Sequence, residues 1–365
     1  MNTKGVYIHI PFCASKCPYC DFYSSVGNTG SYDEYTESLI HRIYNWGEKL
    51  SFSADTLYFG GGTPGLLGAD RLVRIADAVR SCFGSGQNEI TAEINPSNEG
   101  LDLFMLRKHG FDRLSIGLQS AVESELEFLG RKHSAADAAK RINAARAAGF
   151  DNISLDLMIS LQGQTNDSLK RSVNFCAENH AEHISAYILK IEPGTVFYKH
   201  RSKLQLPDDD QTADIYEYLC SLMREYGYNH YEISNFCLPG HEGQHNLKYW
   251  HDEEYLGIGP SAHSFINGQR FFYPRKMQDF LSDVTVPDGS GGTVEEYIML
   301  NLRLSEGLKY SAFRKRFGRD IQDEYRKNAE KLSGTGLIST DENGFALTEK
   351  GFLVSNAVIG RILSE

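Results

Sequence analysis

The chain has 365 residues, 41% of them apolar and 23% charged, with 48 Asp and Glu against 37 Lys and Arg. This composition predicts a globular protein with one large core and a smaller additional domain. The net charge of −11 argues against general binding to nucleic acid or anionic membrane surfaces. With neither a signal-like segment nor a run of about 18 apolar residues, we expect a cytoplasmic protein without a transmembrane segment.

Short β-rich runs alternate with helical patterns through the first half of the chain. Each of six runs predicts a strand that is followed by a helix: 6–10, 56–59, 89–94, 113–117, 152–156 and 183–189. Before the fifth run, Ser134 can cap a helix that has Asp137 in its first turn and ends at Gly149. The alternation predicts an α/β fold with parallel strands and outer helices, as an open sheet or a barrel.

Directly after the first predicted strand, Cys13, Cys17 and Cys20 form the pattern C-x-x-x-C-x-x-C. Three thiolates on one loop can bind three irons of a [4Fe–4S] cubane and leave the fourth iron open to another molecule. A zinc ion held by the three thiolates and either His9 or a remote histidine is the alternative. The remaining cysteines are scattered, and three of them are expected to be buried in the core: Cys82, Cys176 and Cys220.

The loop and its neighbours, Tyr7-Ile8-His9-Ile10-Pro11-Phe12-Cys13 and Lys16-Cys17-Pro18-Tyr19-Cys20, resemble the radical S-adenosylmethionine superfamily. They look most like the branch that contains oxygen-independent coproporphyrinogen III oxidase and a group of haem chaperones. The resemblance implies an incomplete (β/α)6 barrel of the TIM type, with functional residues at the carboxyl ends of the strands. It also implies that S-adenosylmethionine chelates the open iron and that Tyr19 packs near its adenine.

The same resemblance assigns further residues to S-adenosylmethionine. The backbone of the G-G-T-P segment, at Gly62 and Thr63, would bind its amino group, which Glu93 would help to place. Arg131 would pair with its carboxylate, and Gln119 and Asp156 would bind its ribose. Three residues are less specific candidates. Tyr7 either forms a hydrogen bond to the ligand or fills the barrel mouth, and Lys190 could make a backbone contact to the adenine. His263 is the third.

A second motif, H-N-x-x-Y-W, lies at residues 245–250 and resembles the haem-chaperone group of this branch. The imidazole of His245 is a suitable axial ligand for haem iron, and Tyr249 and Trp250 offer flat apolar faces to a porphyrin. Cys237 and His241 are secondary candidates for iron binding or covalent haem attachment. The motif therefore predicts haem as a third ligand, beside the cluster and S-adenosylmethionine.

The sequence predicts three regions. Residues 1–265 would form the barrel, with the haem-motif segment at 231–251, and residues 266–292 would connect it to a domain at 293–365. Three predicted helices, at 294–302, 310–317 and 321–332, precede a hairpin around Asn343-Gly344, which indicates a winged-helix-like domain. Residues 291–365 carry eleven basic and eleven acidic residues, so we expect packing or partner docking there and no nucleic acid.

Two functions are compatible with these features. The first is a haem chaperone that delivers haem to an acceptor protein, for example a respiratory protein. The second is an oxidase that converts coproporphyrinogen III to protoporphyrinogen IX. We favour the chaperone, because the oxidase's N-terminal extension is missing and Asp21-Phe22 follow Cys20 where the oxidase has another cysteine. Productive cleavage of S-adenosylmethionine, a second S-adenosylmethionine site, covalent haem attachment and homodimer formation stay open.

Overall fold

The computed structural model describes residues 3–84 and 86–364. Its first half contains six strands: β1 Thr3–Ile10, β2 Ser53–Gly61, β3 Glu89–Ile94, β4 Arg113–Gln119, β5 Asn152–Ile159 and β6 His183–Ile188. The helices around them are α1 Thr29–Lys49, α2 Ala69–Phe83, α3 Leu103–Lys108, α4 Glu123–Phe128, α5 Ala135–Ala147, α6 Asn166–Glu178, α7 Val196–Lys199 and α8 Asp209–Glu225. All six predicted strands are present, and the helix predicted after Ser134 is α5.

The next part of the chain adds strands to both edges of this sheet: β7 Asn229–Glu232, β8 Asn235–Cys237, α9 Gln244–Trp250, β9 Tyr255–Ile258, β10 His263–Ile266, β11 Gln269–Phe272, α10 Met277–Leu281 and β12 Val286–Ser290. In the resulting order, β12-β11-β10-β9-β1-β2-β3-β4-β5-β6-β8-β7, the seven strands from β9 to β6 are parallel. The two edges of this twelve-stranded sheet are antiparallel and remain apart. The predicted incomplete barrel is confirmed.

Alternation along the strands separates the core from the barrel interior. Val6, Ile8 and Ile10 on β1 are fully buried in the main apolar cluster. The intervening Tyr7 and His9 lie on the opposite face of β1, toward the interior, where their side chains contact each other. Several helices, among them α1, α5, α6 and α8, begin after a residue whose side chain caps them. For α5, Ser134 accepts a bond from the Asp137 N–H, and Asp137 accepts one from the Ser134 N–H, which satisfies N–H groups that the helix leaves free.

The last part of the chain, which we call the C-terminal unit, contains α11 Val294–Asn301, β13 Leu308–Lys309, α12 Tyr310–Phe317, α13 Asp323–Ser333, β14 Ile338–Thr340, β15 Gly344–Leu347, α14 Glu349–Leu353 and α15 Ser355–Leu363. The three predicted helices and the hairpin are present, and the strand order is β13-β15-β14. Two further helices follow the hairpin. The unit contacts the barrel through pairs such as Arg316 with Asp252 and the Ile233 N–H with the Arg303 carbonyl.

The structure differs from the sequence interpretation at 266–292. The sequence predicts only a connection here, whereas the segment contains β11, α10 and the edge strand β12. β12 pairs with β11 at Val286, Pro287 and Ser290, and Asp288 and Gly289 lie at a register shift between these pairs, which an outer strand tolerates because it needs hydrogen bonds on one side only. Within the residues that the structure describes, every helix is too short or too polar to cross a membrane.

Candidate functional site

The three-cysteine loop lies at the carboxyl end of the barrel, where β1 leads into α1. The Cys13 N–H donates to the Ser25 carbonyl at 3.0 Å, and the Cys20 N–H donates to the Cys17 carbonyl at 3.2 Å. These bonds fold the loop so that all three thiols are half-buried. Thr63, from the segment after β2, places its hydroxyl 3.8 Å from the Cys13 sulfur. The loop is therefore held by its own backbone and by the adjacent strand end.

The spacing of the sulfurs bears on the choice between a cubane and a single zinc ion. In the residues described, the ligand atoms of these three cysteines do not converge within 4.8 Å of one another as the donors of one ion would. A cubane separates its thiolates more widely, because each thiolate binds a different iron. One zinc ion would therefore require the sulfurs to move together, and the [4Fe–4S] cluster stays a prediction from the sequence pattern.

Arg131 connects the loop to the fourth strand. Its guanidinium donates to the Cys17 sulfur at 3.4 Å and to the Gly117 carbonyl at 2.9 Å. Its Nε is buried and lacks a hydrogen-bond partner among the described residues. A buried donor without a partner is costly, so this atom is a suitable binding group for a ligand carboxylate. The position agrees with the role expected for Arg131.

Gly62 and Thr63 follow the second strand and lie against the first. Their backbone N–H groups already donate to the carbonyls of Ile10 and Phe12, at 2.8 and 2.7 Å. A Cβ on Gly62 would lie 2.6 Å from the Phe12 oxygen, so a side chain there would displace the cysteine loop. The backbone N–H groups are thus occupied, and the Thr63 carbonyl already accepts from the Leu66 N–H at 3.0 Å; the carbonyl oxygens can still accept a further bond, which suits an amino group.

Two half-buried carboxyl groups, Glu93 on β3 and Asp156 on β5, line the barrel interior below the loop. Glu93 accepts from the Tyr58 hydroxyl at 2.9 Å and from the Gly61 N–H at 3.1 Å, and burial raises its pKa to about 7. Asp156 accepts from the Ser115 hydroxyl at 3.0 Å, and burial raises its pKa to about 6. Both groups can change charge near neutral pH when a cationic ligand arrives.

The remaining predicted S-adenosylmethionine residues occupy different depths. Gln119 is at the end of β4 in a left-handed conformation (φ 68°), with its amide nitrogen near Gly117 beside Arg131. Tyr19 packs on the edge of a small apolar cluster: Leu129, Met158, Leu161, Leu189 and Phe197. Lys190 is exposed just beyond β6. Tyr7 is deeper, 3.1 Å from His9 through its hydroxyl, so it fills the interior below the mouth.

The H-N-x-x-Y-W motif forms α9, which lies at the opposite, amino end of the barrel. The N–H groups of Gln244 and His245 donate to the carboxylate of Glu89, the first residue of β3, at 2.8 and 3.2 Å. The Lys248 ammonium group, largely buried, pairs with Asp55 and Glu253, both at 2.8 Å. These contacts hold α9 across the amino end, so the motif closes the barrel there.

The His245 side chain is completely enclosed by this arrangement. Its Nδ1 lies 2.8 Å from the Thr56 hydroxyl, its Nε2 lies 2.8 Å from the Tyr249 hydroxyl, and its ring stacks on Tyr58 at 5.3 Å. Burial lowers the pKa of His245 to about 3, so the imidazole is neutral. Because both ring nitrogens are bonded, the residues of α9 do not fit a haem in this arrangement. Coordination by His245 would require α9 to move.

The other residues of the haem prediction are also internal or partly covered. Tyr249 packs edge-on against Tyr255 at 4.5 Å, and the Trp250 side chain lies beside the buried carboxyl group of Glu232. Cys237 is buried on β8, and burial raises the pKa of its thiol to about 12. His241 is half-buried in the loop that follows. Both aromatic side chains are half-buried in this arrangement.

Sequence reasoning missed several residues that shape the interior: Tyr58, Arg113, Ser115 and Tyr187. Arg113 is buried, and its Nε has no partner among the described residues. It lies near Glu89, Tyr58 and Asp156, which keep its pKa high despite burial. A charged residue opening an otherwise apolar strand is a signal that could have found it, since buried Arg residues are rare unless they are paired.

Comparisons with known proteins agree with this geometry. A family model described as the Radical SAM superfamily matches residues 7–176, and one described as the HemN C-terminal domain matches residues 293–354. The coproporphyrinogen III oxidase HemN from Escherichia coli shares the fold, with a TM-score of 0.83 and 24% identity, over 99% of this chain and 90% of its own. The parallel partial barrel with a three-cysteine loop is thus the radical S-adenosylmethionine scaffold.

Curated relatives define the family more narrowly. The chain is 35% identical to the heme chaperone HemW of Bacillus subtilis, over 99% of this chain and all of that protein. It is 33% identical to the heme chaperone HemW of Lactococcus lactis, over 99% of this chain and 98% of that protein. The chain belongs to the HemW family.

Proposed function

We propose that this protein binds haem and transfers it to an acceptor protein, on a barrel that holds a [4Fe–4S] cluster and S-adenosylmethionine. The observation that carries the proposal is the 35% identity to a heme chaperone over the full length of both chains. The oxidase alternative has weaker support, because its 24% identity is evidence of a common fold alone. A cytoplasmic location, expected from the sequence, is part of the same proposal.

In the proposed site, Cys13, Cys17 and Cys20 hold the cluster at the carboxyl end of the barrel. The cluster and S-adenosylmethionine supply one-electron chemistry when they are bound. The free Nε of Arg131 binds the methionyl carboxylate, while the carbonyls of Gly62 and Thr63 accept from its amino group. These fixed groups would orient the ligand without a large rearrangement, because the protein's own bonds already hold each of them.

Three further groups complete the proposed nucleotide site. Glu93, with its raised pKa, can ionise beside the ligand's amino group and so balance a positive charge. Asp156 and the Gln119 amide lie on adjacent strands, where ribose hydroxyls could bond to them. The apolar cluster around Tyr19 is a suitable surface for an adenine ring. Tyr7 and Lys190 remain proposed contacts of secondary importance, one inside the mouth and one on its rim.

For haem, we propose His245, Tyr249 and Trp250 as ligand and apolar contacts in a state in which α9 has left the amino end. The H-N-x-x-Y-W motif supports this assignment. Removal of α9 would separate the His245 Nδ1 from the Thr56 hydroxyl and the Tyr249 ring from Tyr255, whereas the contact between Nε2 and the Tyr249 hydroxyl lies within α9 and would move with it. The proposal therefore separates two states of the protein, a closed one without haem and an open one with haem.

The function can be tested anaerobically with reconstituted protein. We would measure haem binding by its absorbance, then mix the haem-loaded protein with a haem-free respiratory haem protein and follow transfer. Active transfer predicts a rate that rises with acceptor concentration beyond the spontaneous rate of haem release. Decarboxylation of coproporphyrinogen III with no retained haem would instead support the oxidase and overturn the chaperone proposal.

A further inference from the structure

A second group of metal-binding side chains lies far from the cluster loop, where the C-terminal unit packs on the barrel. Cys220 on α8, His230 on β7 and Glu349, the first residue of α14, come from distant parts of the sequence. One ligand atom from each, a thiol sulfur, a ring nitrogen and a carboxylate oxygen, lies within 4.8 Å of the other two. The sequence predicted Cys220 only as a buried apolar residue, and its burial is confirmed.

The separation of these atoms is close to that needed for one ion. Tetrahedral zinc binds sulfur at about 2.3 Å and nitrogen or oxygen at about 2.0–2.2 Å, which places neighbouring ligand atoms about 3.3–3.8 Å apart. Shifts of about 1 Å or less per side chain would therefore complete the site. Glu349 is only partly buried at the start of a short helix, so its side chain can make such a shift.

The surroundings of the three ligands are those of a fixed metal site. The His230 ring stacks on Phe236 at 4.2 Å and meets the Phe352 ring edge-on at 5.2 Å, so its orientation is set by packing. The Tyr216 hydroxyl lies 3.4 Å from its Nε2. The packing thus fixes the imidazole; the Tyr216 hydroxyl also donates to the Ile233 carbonyl at 3.0 Å, and water can supply a fourth ligand because His230 and Glu349 are partly exposed.

The charges near the group permit a divalent cation. Without metal, burial keeps the Cys220 thiol protonated, with its pKa raised to about 12, and the His230 imidazole neutral, with its pKa lowered to about 4. A bound cation would displace the thiol proton, because a coordinating thiol is deprotonated. Arg224 pairs with one oxygen of Glu349, and Lys350 lies 3.8 Å from Glu217. The Cys220 thiolate and the Glu349 carboxylate would together neutralise the two positive charges of the ion. Arg224 would then be the one remaining positive charge beside Glu349.

We propose that Cys220, His230 and Glu349 bind one zinc ion that joins the C-terminal unit to the barrel. Zinc is the expected metal because a mixed sulfur, nitrogen and oxygen set in a small, nearly tetrahedral space suits it, and oxygen-preferring Mg²⁺ and Ca²⁺ do not. The ion would link α8 and β7 to α14. Its binding would stabilise the contact between the two parts of the chain, because only the folded arrangement assembles the three ligands.

The experiment uses anaerobic protein in which the reconstituted cluster occupies the three loop cysteines. The protein is equilibrated with zinc sulfate and gel-filtered, and zinc and iron are then measured by elemental analysis. The wild type should retain close to one zinc per chain, while Cys220→Ala and Glu349→Gln should retain much less. Iron content should be the same in all samples. Cys176→Ala, which removes another buried thiol, on α6, is the matched control and should keep its zinc.

Two further measurements keep the test decisive. X-ray absorption at the zinc edge should show one sulfur with nitrogen or oxygen ligands, and thermal unfolding of the wild type should shift upward with zinc but not in Glu349→Gln. Glu349→Gln alters a partly exposed residue, so it serves if Cys220→Ala fails to fold. The proposal is overturned if the wild type retains no zinc, if both variants retain as much as the control, or if the bound zinc has several sulfur ligands.

Discussion

The enclosure of His245 leads to a prediction about stability that does not depend on haem. His245→Ala removes a completely buried imidazole and leaves the hydroxyls of Thr56 and Tyr249 without their partner. Each buried group left unsatisfied costs about 1–2 kcal/mol, and loss of the ring adds a cavity, so we expect the free energy of unfolding to fall by about 4 kcal/mol. That is a large part of the typical total of about 5–15 kcal/mol.

The assay is anaerobic urea unfolding of the reconstituted protein, followed by circular dichroism. His41→Ala is the control, because His41 is an exposed histidine on α1, and a change within about 0.5 kcal/mol is expected there. The iron content of His245→Ala should equal that of the wild type, since the cluster lies at the other end of the barrel. A loss below about 1 kcal/mol in His245→Ala would show that the imidazole is not packed as described, and the closed position of α9 would be refuted.

Three other predictions concern α9 and the proposed nucleotide site. Lys248→Met removes the ion pairs that hold α9 but keeps the imidazole, so haem titration should show tighter binding than in the wild type. His245→Ala should bind haem more weakly than the wild type. Equal haem affinities in all three proteins would place the haem site elsewhere. In calorimetry with the cluster retained, Arg131→Gln should bind S-adenosylmethionine at least about tenfold more weakly than the wild type. The control is Lys132→Gln, which changes the exposed neighbouring residue and should bind as the wild type does. Equal affinities of the two variants would remove Arg131 from the site. The pKa of Glu93 is raised from 4.5 to about 7, so between these values the folded protein binds more protons than the unfolded one and loses stability as pH rises. The free energy of unfolding of Glu93→Gln, measured relative to the wild type, should therefore be about 3 kcal/mol more favourable at pH 8 than at pH 5. If urea unfolding gives the same difference at both pH values, Glu93 is not protonated in the folded protein.

The sequence predicted the strands well because apolar residues recur at every second position of β3 to β6, and a helical pattern follows each strand. It also predicted which residues meet at the carboxyl end. Arg131, Gln119 and the Cys17 loop are distant in sequence, yet every parallel strand ends at the same face, so strand order alone brings them together. The convergence of the proposed nucleotide residues follows from the fold and needs no knowledge of side-chain contacts.

Other parts of the site could not be predicted in this way. Where α9 lies depends on a long-range bond between its first N–H groups and Glu89, 155 residues earlier, and no local pattern encodes such a bond. The edge strand β12 was hidden for a different reason. Its Pro287, Asp288 and Gly289 are poor strand formers, and the pairing of Val286, Pro287 and Ser290 with β11 compensates for that local preference. The Cys220 group likewise joins residues that are 129 positions apart, from Cys220 to Glu349.

The closed position of α9 has a consequence for haem release if His245 is the haem ligand. Haem binding must then supply the free energy that opens α9, and an opening cost of about 3 kcal/mol would lower the apparent affinity by more than about a hundredfold. The same cost favours release, because loss of haem allows the contacts of Lys248 with Asp55 and of His245 with Thr56 to form again. A protein that must give up its haem benefits from an empty state with many such contacts, whereas a storage protein does not. The dense hydrogen bonding around α9 is therefore compatible with transfer, provided that the acceptor binds haem more tightly than the opened barrel does.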